Sequence, residues 1–121
     1  MKYLALAFVI AAFGNYLAAA ESGDAPLQLK QTIALPGVEG RIDHLDLDAG
    51  NERLFVCALG NNTAEVLDLR KGERVHTIGG LGAPQGLVYI PELNRLFIAN
   101  DKGGLCNIYD AKSWQLTGKA A

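Results

Sequence analysis

One short stretch of the sequence concentrates the side chains that could carry chemistry. Asp43 and His44 are adjacent, and Asp46 follows two residues later. Strand alternation would place His44 and Asp46 on one face of a β-strand and Asp43 on the other. Imidazole nitrogen and carboxylate oxygen suit a divalent metal, and the same groups can act as acid and base. The competing interpretation is structural, with Asp43 and His44 binding backbone and turn groups where a strand begins.

The segments that would position these residues repeat along the chain. Three pairs of segments align at one offset of 42 residues: 53–58 with 95–100, 66–68 with 108–110, and 44–47 with 86–89. A period of 40–45 residues is that of a four-stranded propeller blade. The repeat therefore predicts two such blades, at about 41–80 and 83–121.

Short β-rich runs separated by Gly, Asn and Asp turns fill each repeat. The predicted strands are 43–48, 53–59, 64–69 and 74–78 in the first repeat, then 85–90, 95–100, 105–110 and from 115 onward. Both faces of the run that begins at Leu54 are apolar, which indicates a strand covered on both sides. No helix is predicted after residue 20.

Asp68 and Asp110 occupy the same place in the two repeats, at the end of the third predicted strand. A residue that recurs in this way indicates a structural role rather than a catalytic one. We expect each carboxylate to accept backbone N–H bonds in the turn that follows it.

The first 20 residues have the pattern of a secretory signal peptide. Lys2 precedes the ten apolar residues 4–13, and three alanines stand at 18–20. Cleavage is expected before Glu21, followed by a flexible leader over 21–28. A membrane anchor is the competing interpretation, but a spanning helix needs about 20 apolar residues. We therefore expect an exported protein, periplasmic or extracellular, that does not span the membrane.

Composition narrows the classes of protein further. The chain is 50% hydrophobic and 20% charged, which fits a globular protein and excludes collagen-like and wholly disordered classes. A net charge of −2 gives no basic surface for nucleic acid. The two cysteines, Cys57 and Cys106, are not equivalent in the repeat and form no CxxC motif. Whether they pair is left open.

The repeated strand motifs, LFVCA or LFIAN followed by VLD or IYD, resemble those of the bacterial YVTN-type β-propellers, relatives in shape of WD40 propellers. The resemblance implies an all-β fold, export, and a ring of about seven blades. It also implies that a strand at about 29–36 closes the ring. Residues 29–121 would then be the N-terminal part of a propeller, with the other blades supplied by downstream sequence or by other copies. The outer faces of the two blades would expose Leu54, Phe55, Leu96 and Phe97.

The resemblance is specific for fold and weak for function. We expect a binding or scaffold protein of the cell envelope rather than an enzyme, with a protein or small molecule bound at the propeller channel. The alternative is part of a lactonase-like hydrolase that uses a divalent metal held by Asp43, His44 and Asp46. A quinone- or haem-dependent redox protein is a weaker alternative, because the sequence has no ligand motif for either cofactor.

Overall fold

The computed structural model describes residues 26–121, which form an all-β structure of two four-stranded antiparallel sheets. Sheet one comprises β1 (Leu45–Asp48), β2 (Arg53–Ala58), β3 (Thr63–Asp68) and β4 (Glu73–Ile78). Sheet two comprises β5 (Pro84–Ile90), β6 (Arg95–Asn100), β7 (Cys106–Asp110) and β8 (Leu116–Ala120). In each sheet the strands lie side by side in chain order. The prediction of an all-β chain with two four-stranded sheets is confirmed.

Helical structure in this part of the chain amounts to two 3₁₀ turns of three residues, Leu59–Asn61 and Pro91–Leu93. The strand predicted over 53–59 ends at Ala58 because Leu59 begins the first of these turns. The predicted signal peptide, residues 1–20, lies outside the described residues, as does most of the leader over 21–28.

The two sheets repeat in detail as well as in outline. Leu45 pairs with Val56 in sheet one, and Leu87 pairs with Ile98 in sheet two. A break in register follows Val66 in sheet one and the equivalent Ile108 in sheet two. Backbone φ is positive at equivalent turn positions, which are Glu52 and Asn94, Asn62 and Gly104, and Gly72 and Trp114. The offset of 42 residues therefore relates two copies of one structural unit.

The main core lies between the sheets. Phe55 and Cys57 of sheet one and Leu96 and Ile98 of sheet two are fully buried there. The rings of Phe55 and Tyr89 lie 5.3 Å apart between centroids. The expectation that Phe55 and Leu96 are exposed on outer faces is wrong, because these two side chains point toward each other's sheet.

The opposite face of sheet one is covered by the segment 31–41, which we call the N-terminal strap. Gln31 Nε2 donates to the carbonyl of Leu69 at 2.9 Å, and Gly60 N donates to the carbonyl of Arg41 at 2.9 Å. These contacts anchor the strap at two ends of the face on which Val56 and Ala58 are buried. β2 is thus covered on both sides, as predicted from its apolar faces, whereas Leu45 and Leu47 of β1 stay about half exposed. Residues 29–36 belong to neither sheet, so their role as a closing strand stays a prediction.

Arg53 joins the two sheets. Its Nε and Nη2 donate to Asp48 Oδ2 at 2.9 and 2.7 Å, and its Nη1 donates to the carbonyl of Ala111 in the other repeat at 2.7 Å. The guanidinium also lies 5.4–5.6 Å from the ring centroids of Phe55, Tyr89 and Trp114. Asp48 is only 3% exposed, and Arg53 is the one cation among its partners, beside two bonds from Asn51.

Replacing Arg53 by alanine should therefore destabilise the fold by about 3 kcal/mol, because a buried carboxylate loses its cation. The matched control is Arg95→Ala at the equivalent position, where the arginine pairs with Asp110 in a more exposed setting. We expect the control to cost less than about 1 kcal/mol. Urea unfolding followed by tryptophan fluorescence measures both. Equal losses for the two variants would show that Arg53 has no special role.

Candidate functional site

The predicted site residues lie at the contact between the two sheets. The Nδ1–H of His44 donates to the carbonyl of Gln85 at 2.7 Å, beside a backbone bond from His44 N to the same oxygen. Asp46 Oδ2 accepts the backbone N–H of Tyr89 at 2.7 Å. Asp43 was predicted on the other face, but its Oδ1 lies 3.1 Å from Nδ1 of His44, while its Oδ2 pairs with Arg41 at 2.9 Å. His44 and Asp46 thus tie β1 to β5, the strand that faces it.

Several donor atoms of the predicted metal site have protein partners in this structure. His44 Nδ1 donates to a carbonyl, which leaves Nε2 as its one nitrogen for a metal. Both carboxylate oxygens of Asp46 accept backbone bonds, from Tyr89 and Leu47. Within residues 26–121, no group of three or more His, Cys, Asp and Glu side chains is arranged to hold a metal ion.

Asp68 and Asp110 each organise the turn that follows their strand. Asp68 Oδ1 accepts the backbone N–H groups of Arg70 and Lys71 at 2.9 and 3.0 Å. Asp110 Oδ1 accepts those of Ser113 and Lys112 at 2.8 and 3.0 Å. These donors favour the charged carboxylate. They lower the pKa of Asp68, and they lower the pKa of Asp110 to about 2, where Arg95 also contributes.

Trp114, in the turn before β8, packs against sheet one. It has φ +60°, in the left-handed region that favours glycine, and Gly72 is its equivalent in sheet one. Its indole stacks on His76 with centroids 5.0 Å apart, and its edge meets Phe55 at 6.4 Å. Burial of His76 in this stack lowers the pKa of its imidazole. A tryptophan at a turn position that the other repeat gives to glycine was the signal available in the sequence.

A buried carboxylate, Glu65, lies under the N-terminal strap and was not predicted from the sequence. Glu65 is fully buried and accepts bonds from Thr63, Thr77 and Arg74. Arg74 also donates to the carbonyl of Pro36 in the strap at 3.0 Å. This network fixes the strap to sheet one, so Glu65 has a structural task there.

An open cleft of about 470 Å³ lies between turns of the two sheets. Its lining includes Asn51, Arg53, Asp68, Arg70, Asn94 and Lys112. Arg53 is engaged by Asp48, and Asp68 is engaged by its own turn. The cleft is therefore a polar surface suited to binding, and the lowered pKa of its one carboxylate, Asp68, makes that group a weak base.

Both cysteines are free thiols. Cys57 faces sheet two, whereas Cys106 pairs across from Ala99 on the face of sheet two that points away from sheet one. Burial, together with the charge of Asp43, raises the pKa of Cys57 to about 12. A thiol with this pKa is not a nucleophile at neutral pH.

A comparison of the chain with protein-family models finds no match, and a search of curated proteins finds none either. In the described part of the chain, no helix is long and apolar enough to cross a membrane. What can be inferred about function therefore depends on the geometry of the two sheets and on the resemblance of their repeated motifs.

Replacing Asp46 by alanine should destabilise the chain by about 1–3 kcal/mol, because the N–H of Tyr89 loses its acceptor at the contact between sheets. Asp101→Ala is the control, since Asp101 is exposed and surface substitutions of this kind change stability by less than about 0.5 kcal/mol. Chemical unfolding of both variants measures the difference. Equal losses in the two variants would show that the bond from Tyr89 to Asp46 does not stabilise the contact between the sheets.

Acid should destabilise the fold in part through Asp110. Its folded pKa of about 2 lies below the ordinary value, so its stabilising effect is complete above about pH 4 and is lost as the pH falls toward 2. Asp110→Asn should reduce the drop in melting temperature over this interval, whereas Asp101→Asn, outside these turns, should leave it unchanged. Thermal unfolding at a series of pH values checks this. An unchanged pH profile in Asp110→Asn would contradict the assignment.

Proposed function

We propose that this chain is an exported module of β-propeller blades that acts as a binding or scaffold protein of the cell envelope. Sheets one and two would be two neighbouring blades. Support comes from their face-to-face packing, from their identical register, and from the resemblance of their strand motifs to the YVTN-type repeat. Such a fold uses its inner strands and connecting turns as a binding surface.

One observation carries this proposal: the residues that could act in catalysis or metal binding make hydrogen bonds that hold the two sheets together. His44 and Asp46 bond to the backbone of β5, and Asp48 bonds to Arg53. Catalytic and metal-ligating groups need lone pairs or protons that are available to a substrate. Both carboxylate oxygens of Asp46 and Nδ1 of His44 have protein partners, and Nε2 is the one nitrogen of His44 left for a metal. The arrangement therefore favours binding over the alternative of a metal-dependent hydrolase.

The position of the N-terminal strap supports a larger ring. The strap lies on the face of sheet one that is opposite sheet two, which is where a preceding blade would stack. We infer that residues 29–36 would become the outer strand of that blade, as the resemblance implies. Further blades, about seven in all, would come from additional sequence or from other copies, and a protein or small molecule would bind at the channel lined by β1 and β5.

One preparation tests both the export and the non-catalytic role. The full chain is expressed in a bacterium, the envelope and cytoplasmic fractions are separated, and the exported chain is analysed by mass spectrometry and by metal analysis. We expect an N-terminus at or within a few residues of Glu21 and less than stoichiometric divalent metal.

Two results would contradict the proposal in different ways. A soluble cytoplasmic pool that retains Met1 would contradict export. About one metal ion per chain in wild type, lost in His44→Ala while the β-sheet circular dichroism is unchanged, would favour the hydrolase alternative. Asp101→Asn serves as the control for nonspecific loss of metal.

A further inference from the structure

Sheet two has an apolar face that nothing in residues 26–121 covers. Its centre is a row of residues paired directly across strands, Val88 with Phe97 and Phe97 with Ile108. Val88 is 44% exposed, and Phe97 and Ile108 are only partly buried. In sheet one the equivalent row contains Phe55, which is fully buried against sheet two.

The chain also carries the surface that fits this face. In the contact between the sheets, Leu87, Tyr89 and Leu96 pack on the side of Phe55. Their equivalents on the other face of sheet one are Leu45, Leu47 and Leu54. Leu45 and Leu47 are 53% and 51% exposed, although both belong to strand β1.

We propose that the open face of sheet two binds sheet one of a second copy, with Leu45 and Leu47 of one chain against Val88 and Phe97 of the next. The contact would repeat the packing that already joins the two sheets within the chain. This inference deepens the proposed function, on whose blade stacking it rests, by naming a second copy as the source of the neighbouring blade.

The structure also indicates how large and how polar this contact between copies would be. The N-terminal strap covers the outer part of sheet one, so the contact is confined to the inner strands β1, β5 and β6. Val88 stands where sheet one has Asp46, so the contact lacks a carboxylate that accepts a backbone N–H. We therefore expect a small, apolar and reversible interface. Because it joins two different faces, it can continue into a ring or an open chain of copies.

Two variants on opposite faces test the geometry. Val88→Lys alters the open face of sheet two, and Leu47→Lys alters the open face of sheet one. Both side chains are about half exposed, so the fold should survive, and circular dichroism checks this. Leu93→Lys makes the same chemical change at a 59% exposed leucine in a turn. Molar mass is measured by light scattering after gel filtration over a series of concentrations, with reductant present so that Cys106 cannot cross-link copies.

We expect wild type and Leu93→Lys to grow in mass with concentration, and each of the other two variants to stay monomeric. When Val88→Lys and Leu47→Lys are mixed, a 1:1 dimer should form, because each variant keeps the face that the other has lost. A wild type that is monomeric throughout would overturn the inference. A second result would also overturn the inference: a wild-type dimer that Val88→Lys abolishes, that Leu47→Lys leaves intact, and that mixing the two variants does not restore. This result would show that two copies pair through the same face of sheet two. Neither result bears on export or metal content, so failure here leaves the proposed function separately testable.

Discussion

The buried ion pair between Arg53 and Asp48 is the interaction on which the stacking of the two sheets depends. A carboxylate that is 3% exposed needs a cation beside it. The same guanidinium reaches the carbonyl of Ala111 in the other repeat and lies against the ring of Trp114. Arg53 thereby holds sheet two against sheet one at one end of the core, and Phe55 and Leu96 fill the core itself.

The two repeats differ where they meet, and this difference explains the residues that look catalytic. His44, Asp46 and Asp48 of the first repeat correspond to Gly86, Val88 and Ile90 of the second. A polar residue present in only one repeat can indicate a functional site, but here each of the three bonds toward sheet two or to Arg53. Their contacts make the packing between these two sheets specific, since a misaligned sheet would leave polar groups buried without partners.

The fold could be predicted from the sequence because its determinants are local. Strand alternation, turn residues and a repeat of 42 residues fix which segments pair, and the register follows from the short turns. The partners of His44, Asp46 and Glu65 could not be predicted in this way. Their partners, such as Gln85 and Tyr89, are distant in sequence and are chosen by how the sheets stack. The path of the N-terminal strap over sheet one likewise depends on tertiary contacts, among them the bond from Arg74 to Pro36.

The hydrogen bonds of the buried polar atoms limit which parts of the molecule can bind a ligand. In residues 26–121, every buried side-chain nitrogen or oxygen has a hydrogen-bond partner. Interior polar groups that are fully satisfied stabilise a single packing, and they have little capacity left to bind or activate a substrate. The capacity for recognition therefore lies at surfaces, in the polar cleft beside Arg53 and on the apolar face that carries Val88 and Phe97. The N-terminal strap leaves Leu45 and Leu47 of β1 exposed, and nothing in residues 26–121 covers one face of sheet two, so an apolar partner has a defined place to bind at these two surfaces.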